Sequence, residues 1–203
     1  MSINKIVLID WDDTIFPTTW AIENNIKFNN KKDTEDIYPY FEQLDNVLHK
    51  FFQKIKKNGK IVIVTNAMVK WVHISGRVLK KSYPFIIEHI NIISARDLYQ
   101  KDYPGNIYKW KENVFNKEIK KFISTNKNTH SIVSIGDADY EYKALVNMHY
   151  TDKIRDNIKY FKSIKFKPKV DIDIIIDQLD VLCKHIYAIL NSDRHFDLQF
   201  YEK

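Results

Sequence analysis

The segment Ile6-Val7-Leu8-Ile9-Asp10-Trp11-Asp12-Asp13-Thr14 decides how the chain is read. Four apolar residues, mostly β-branched, run straight into two aspartates spaced by one residue. An unbroken apolar run of this kind is a strand buried on both faces, as in a parallel sheet. Asp10 and Asp12 then sit at its C-terminal end, where open α/β sheets place their ligand sites. Two carboxylates this close repel each other, and burying them is costly unless a cation offsets the charge. Mg²⁺ meets that need, because it binds through one or two carboxylates plus substrate phosphate.

Similar blocks recur downstream. Ile61-Val62-Ile63-Val64 ends in Thr65-Asn66, and Ile132-Val133-Ser134-Ile135 ends in Gly136-Asp137. Between them lies a lysine-bearing segment, Tyr108-Lys109-Trp110-Lys111-Glu112-Asn113-Val114-Phe115. Apolar runs and periodicity predict strands over 5–10, 60–65, 90–94, 131–136 and 163–167. They predict helices over 41–57, 67–81, 108–123, 139–148 and 171–191, with Asn58-Gly59 ending the first. Residues 15–40 read as irregular and polar. Strands alternating with helices imply a parallel sheet with right-handed crossovers.

Taken together, these segments resemble the haloacid dehalogenase (HAD) superfamily of phosphatases. Asp10-x-Asp12-x-Thr14 resembles its first motif, the strand ending in Thr65 its second, the Lys109–Lys111 region its third, and Gly136-Asp137 its fourth. The resemblance implies a three-layer Rossmann-like α/β fold with a central parallel sheet in the order 5-4-1-2-3, flanked by helices. It implies that Asp10 is the nucleophile, forming an aspartyl-phosphate, and that Asp12 is the general acid/base. Asp137, with the Asp10 carboxylate and the Asp12 backbone carbonyl, would complete a Mg²⁺ site. Thr65 and the Asn66 backbone would bind phosphate. Thr65 would equally serve as a cap for the helix starting near Ala67.

The lysine that neutralises phosphate is assigned to Lys111, because Trp110-Lys111 with Phe115 resembles a eukaryotic-type branch of the family. Lys109 and Lys117 remain competitors. The family's second acid after Gly-Asp falls at Glu141, with Asp139 nearby, and Glu141 would orient the lysine or a metal-bound water. Trp11 would form a wall of the site or pack beneath a flap. The spacing of the motifs leaves little room for an inserted cap, so the chain reads as a single domain over 1–203 of the capless or minimally capped branch. Residues 15–40 are the room for a small flap.

Composition bounds the partners. The chain has 203 residues, is 44% hydrophobic and carries a net charge of +6, which favours anionic partners. The basic stretch Lys159 to Lys169 interleaves Tyr160, Phe161 and Phe166. It reads as an edge strand guarded by lysines, with single-strand nucleic-acid binding as the alternative. The one cysteine, Cys183, reads as a buried hydrophobe, which with the lack of a visible leader fits a cytoplasmic, reducing location; the oligomeric state is open, with a monomer favoured. Export as an effector into a host cell is compatible with this. No apolar run approaches the roughly 20 residues that span a membrane.

The expected function is Mg²⁺-dependent phosphomonoester hydrolysis on a phosphoprotein. Trp11, Phe16 and Trp20 would line a cleft suited to phosphotyrosine, with phosphoserine or phosphothreonine close behind. The alternatives are a nucleic-acid end phosphatase, a small-metabolite phosphatase and a phosphate-binding module without turnover.

Overall fold

The structure, a computed structural model, describes residues 4–28, 31–126, 130–150 and 152–201. Its strands are β1 (Asn4–Ile9), β2 (Lys60–Thr65), β3 (Asn91–Ser94), β4 (His130–Gly136), β5 (Ile158–Lys165) and β6 (Phe196–Gln199). The helices are α1 (Thr18–Glu23), α2 (Lys31–Lys56), α3 (Val69–Gly76), α4 (Ser82–His89), α5 (Ala95–Tyr99), α6 (Ile107–Thr125), α7 (Asp139–His149), α8 (Asp152–Arg155) and α9 (Ile172–Asn191).

All pairings in the sheet are parallel, in the order β3-β2-β1-β4-β5-β6. The expected 5-4-1-2-3 order is present, with β6 added outside β5. Period-two alternation sends successive side chains to opposite faces. Val7 and Ile9 join one core with Phe41, Phe51 and Leu179, beneath α2, α3, α4 and α9. Ile6 and Leu8 join another with Val114, Phe115 and Leu145, beneath α6 and α7. That two-sided burial is why β1 carries no polar residue between Ile6 and Ile9.

Three readings need correction. Residues 31–40 are helical rather than irregular, because α2 begins at Lys31 and continues through Pro39. The predicted helix over 67–81 is two helices, since α3 stops at Gly76 and α4 starts at Ser82.

The third correction concerns the basic stretch. β5 is an interior strand because β6 covers its outer side. Tyr160, Phe161 and Phe166 are buried, so they offer no surface rings for base stacking. Lys162 is fully buried, and its Nζ donates to the carbonyls of Ile189 (2.7 Å), Leu190 (3.2 Å) and Ser192 (2.8 Å). It therefore satisfies the last turn of α9, where helix carbonyls lack intrahelical partners. Cys183 is buried in α9, as expected.

Candidate active site

The sheet order sets β2 and β4 on either side of β1. Asp10 follows β1 directly, and its N–H donates to the Ile135 carbonyl at 2.9 Å. Thr65 ends β2, and Asp137 follows β4. Residues far apart in sequence thus meet at one edge of the sheet.

Lys111 lies on the buried face of α6 and is itself fully buried. Its Nζ is 2.7 Å from Asp10 Oδ1, 2.5 Å from the Val64 carbonyl and 2.9 Å from Glu141 Oε1. Burial alone would depress the lysine, but Asp10 and Glu141 outweigh it and hold its pKa above the ordinary value. Lys109, the competitor, pairs instead with Glu112 at 3.3 Å on a partly exposed face. Lys117 is exposed and two turns away along α6.

The carboxylates exceed this one buried cation. Burial raises Asp10 despite Lys111, and raises Glu141 well above the ordinary carboxyl range. Asp137 is pushed up to about 7, first by burial and then by the charges of Asp10 and Asp13. Although Glu141 is 2.9 Å from Lys111, neither of its oxygens takes a well-directed hydrogen bond. Among the described residues, no group of three or more His, Cys, Asp and Glu side chains is arranged to hold a metal ion. Asp10 and Asp137 are near enough for the charge of Asp10 to act on Asp137, and both offer carboxylate oxygens. Carboxylate oxygen is the donor type that Mg²⁺ takes.

Asp12 is held in a single orientation. Its Oδ1 accepts from Thr18 Oγ1 (2.6 Å) and Trp71 Nε1 (2.9 Å), and its Oδ2 accepts from Thr65 Oγ1 (2.9 Å). Thr65 Oγ1 also accepts from the Ala67 N–H at 2.9 Å, so one hydroxyl caps the following turn and orients Asp12. Its proton points at Asp12 rather than into the cleft. Asn66 anchors to the Ile107 carbonyl at 3.4 Å while its own side-chain oxygen has no partner.

The loop after Asp12 is a tight turn. Asp13 adopts φ 52°, and its carboxylate accepts from the backbone N–H (2.8 Å) and hydroxyl (2.5 Å) of Thr19. The buried Thr14 hydroxyl donates to Asp137 Oδ1 at 3.4 Å. Asp139 pairs with Lys165 at the rim, away from Lys111.

The reading of Trp11 as a wall of the site is corrected, and its alternative, packing, is what the structure has. Alternation turns its side chain into the core, where it is fully buried, donates to Ser75 Oγ at 3.1 Å and stacks on Phe16. Phe16 is also core, and Trp20 packs edge-on against Phe41. Trp11 and Phe16 therefore do not wall the cleft.

The aromatic groups at the site are ones that motif spacing does not mark. Trp71 contacts Asp12 from the β2 side. On the β4 side, the Tyr140 ring lies 5.2 Å from Lys111 Nζ and meets Tyr108 edge-on at 6.0 Å. Burial and then Asp10, Glu141, Asp137 and Asp12 raise the Tyr140 hydroxyl pKa, keeping it a donor. The helical stretch after Thr65 contains Trp71 as its first aromatic, which is the signal available in the sequence.

No family model matches this chain, and no curated protein matches it. Among solved structures, the HAD domain of the effector protein Lem4 from Legionella pneumophila, an inactive mutant, is similar at 12% identity and a TM-score of 0.41. That match covers 94% of this chain and 100% of the other. Among the described residues, no helix is long and apolar enough to cross a membrane.

Proposed function

We propose that this chain is a HAD-type phosphatase of the capless or minimally capped branch, hydrolysing phosphomonoesters through an aspartyl-phosphate on Asp10. The observation that carries the reading is the buried Asp10–Lys111–Glu141 cluster, with Asp12 two residues on and held by three donors. A structural ion pair alone would not need a second, separately oriented acid at that spacing.

In the first step a carboxylate oxygen of Asp10 attacks phosphorus and the bond to the leaving oxygen breaks. Asp12 gives its proton to that leaving oxygen. In the second step a water attacks phosphorus, gives its proton to Asp12, and the bond to Asp10 breaks to release phosphate. Lys111 offsets charge on Asp10 and the phosphoryl oxygens throughout. Asp10, Asp137 and the Asp12 backbone carbonyl would hold Mg²⁺, which would neutralise phosphoryl charge. Thr65, Thr18 and Trp71 keep Asp12 within reach of the leaving oxygen, and Glu141 positions Lys111.

The substrate we favour is a phosphoprotein, with phosphotyrosine ahead of phosphoserine or phosphothreonine. The support is the rings beside the cluster: Trp71 from one side of β1, Tyr140 and Tyr108 from the other. Aromatic groups gain from stacking on an aryl leaving group. With residues 31–40 helical, the room for a flap shrinks to the α1 region.

The test is phosphate release from phosphotyrosine and phosphoserine peptides, phosphorylated oligonucleotides and sugar phosphates, with Mg²⁺ and with chelator. Release from peptides that disappears in chelator and in Asp10→Asn is expected. Release unaffected by Asp10→Asn would falsify the mechanism.

A further inference from the structure

A phosphoryl group carries its charge on non-bridging oxygens, which a site stabilises with cations and hydrogen-bond donors. The side-chain donors around Asp10 and Asp12 are already engaged. Lys111 Nζ has three protons to give. It stands against Asp10 at 2.7 Å, the Val64 carbonyl at 2.5 Å and Glu141 at 2.9 Å. The hydroxyls of Thr65 and Thr18 donate to Asp12, as does Trp71 Nε1. Thr14 donates to Asp137, and Thr19 to Asp13. Lys111 therefore acts on a phosphoryl group through its charge. Thr65, which the second motif would offer to phosphate, has its proton on Asp12.

The Tyr140 hydroxyl differs. Among the described residues it makes no hydrogen bond to protein, and its oxygen is open to solvent. Its ring is nonetheless held. Tyr140 is the second residue of α7, three after Asp137, and the ring lies 5.2 Å from Lys111 Nζ. It meets the Tyr108 ring edge-on at 6.0 Å, and Lys143 Nζ stands 4.7 Å from that second ring. Tyr108 and Lys111 are three apart on α6, as Tyr140 and Lys143 are on α7. Each helix thus turns one ring and one cation toward the other, and the two cation–π contacts brace the pair of rings.

The surrounding charge locates the hydroxyl. Burial raises its pKa first, and Asp10, Glu141, Asp137 and Asp12 raise it further, in that order. Such influence falls with distance, so the oxygen lies toward the cluster. The phenol stays protonated there and meets a phosphoryl group as a donor, adding no negative charge.

We propose that Tyr140 is a substrate-binding residue whose hydroxyl donates to a non-bridging phosphoryl oxygen, the contact that the engaged Thr65 hydroxyl does not make. The assignment rests on the phosphatase reading above for its ligand. It separates two roles: Thr65 acts through Asp12 on proton transfer, and Tyr140 acts on the phosphoryl group itself.

The test is the affinity for inorganic phosphate, the product, measured by titration calorimetry with Mg²⁺ on wild type, Tyr140→Phe and Thr65→Val. Tyr140→Phe keeps the ring against Lys111 and Tyr108 and deletes a hydroxyl that no protein group holds, so the fold is left intact. Its affinity should fall about 10-fold, the scale of one hydrogen bond to a charged acceptor. Thr65→Val should bind phosphate close to the wild-type level. In turnover, Tyr140→Phe should lower kcat/KM alike for good and poor leaving groups. Thr65→Val should be worst for poor ones, which depend most on the proton from Asp12.

Unchanged phosphate affinity in Tyr140→Phe, or a loss confined to Thr65→Val, overturns the assignment. Weakened binding in Tyr140→Phe, in a protein whose wild type releases no phosphate from any monoester, keeps the assignment and rejects the phosphatase reading. Turnover by wild type, with phosphate affinity unchanged in Tyr140→Phe, does the reverse.

Discussion

Lys111 Nζ and Asp10 Oδ1 lie 2.7 Å apart, both effectively sealed from solvent, although 101 residues separate them in the chain. Removing one partner of a buried pair leaves the other charge uncompensated, which costs about 3–5 kcal/mol. Lys111→Met should therefore lower stability by roughly that amount and abolish turnover. Urea denaturation checks the first part. Adding Glu141→Gln to Lys111→Met should recover some of the loss, because it removes one of the stranded carboxylates. No recovery would show that Glu141 is not coupled to the lysine.

Trp71→Phe keeps the ring but deletes the indole N–H on Asp12 Oδ1. If Asp12 moves the proton, loosening it should lower kcat about 10-fold, against the 100-fold or more typical of losing the acid/base itself. KM should change much less. A drop in kcat that is largest for substrates with poor leaving groups supports the acid role. An equal drop for all leaving groups counts against it.

Gly136→Ala probes the packing behind the cluster. A Cβ at that position would come within 2.5 Å of Glu141 Cγ. We expect a loss of about 1–3 kcal/mol from overpacking. Activity should also fall, since the displaced Glu141 no longer holds Lys111. Thermal denaturation and initial rates measured side by side check both. Full activity in this variant would mean that Glu141 is dispensable.

Lys162 gives a pH signature away from the site. Burial first, then the charge of Lys5, lowers its pKa to about 8 from an ordinary 10.5. Below about 8 the lysine is charged both folded and unfolded, so the full cost of burying the charge is present. Between about 8 and 10.5 the folded chain sheds the proton first, so this group's contribution to stability rises with pH. Stability of wild type minus Lys162→Met should therefore increase across that interval. A flat difference would show that the three carbonyls around Nζ keep the lysine fully charged.

The parts legible in sequence were those with one strong physical cause. Blocks such as Ile61–Val64 and Ile132–Ile135 are apolar without interruption because both sheet faces are covered, so their strands and terminal polar residues could be read directly. What stayed hidden depended on neighbours distant in sequence. Phe196–Gln199 is too short and polar to announce a strand, and it forms because the exposed side of β5 is there to pair with. Lys162 looks like a surface lysine until the end of α9 arrives over it. Residues 31–40 read as irregular, yet α2 runs through them, Pro39 included.

At the site, Asp10, Asp12, Thr65, Lys111, Asp137 and Glu141 come together at one sheet edge. The aromatic residues were the misreading. Trp11 sits between the two aspartates, but strand-like alternation turns it away from them. Trp71 and Tyr140 reach the cluster only because β2 and β4 flank β1.

The most direct test of the account is to trap the intermediate. Protein turning over a phosphotyrosine peptide with Mg²⁺ is quenched in acid within milliseconds, and its peptides are weighed by mass spectrometry. One phosphoryl group is expected on the peptide containing Asp10, absent from Asp10→Asn and from protein in chelator. Steady release of phosphate with no phosphoryl group on Asp10 would contradict it.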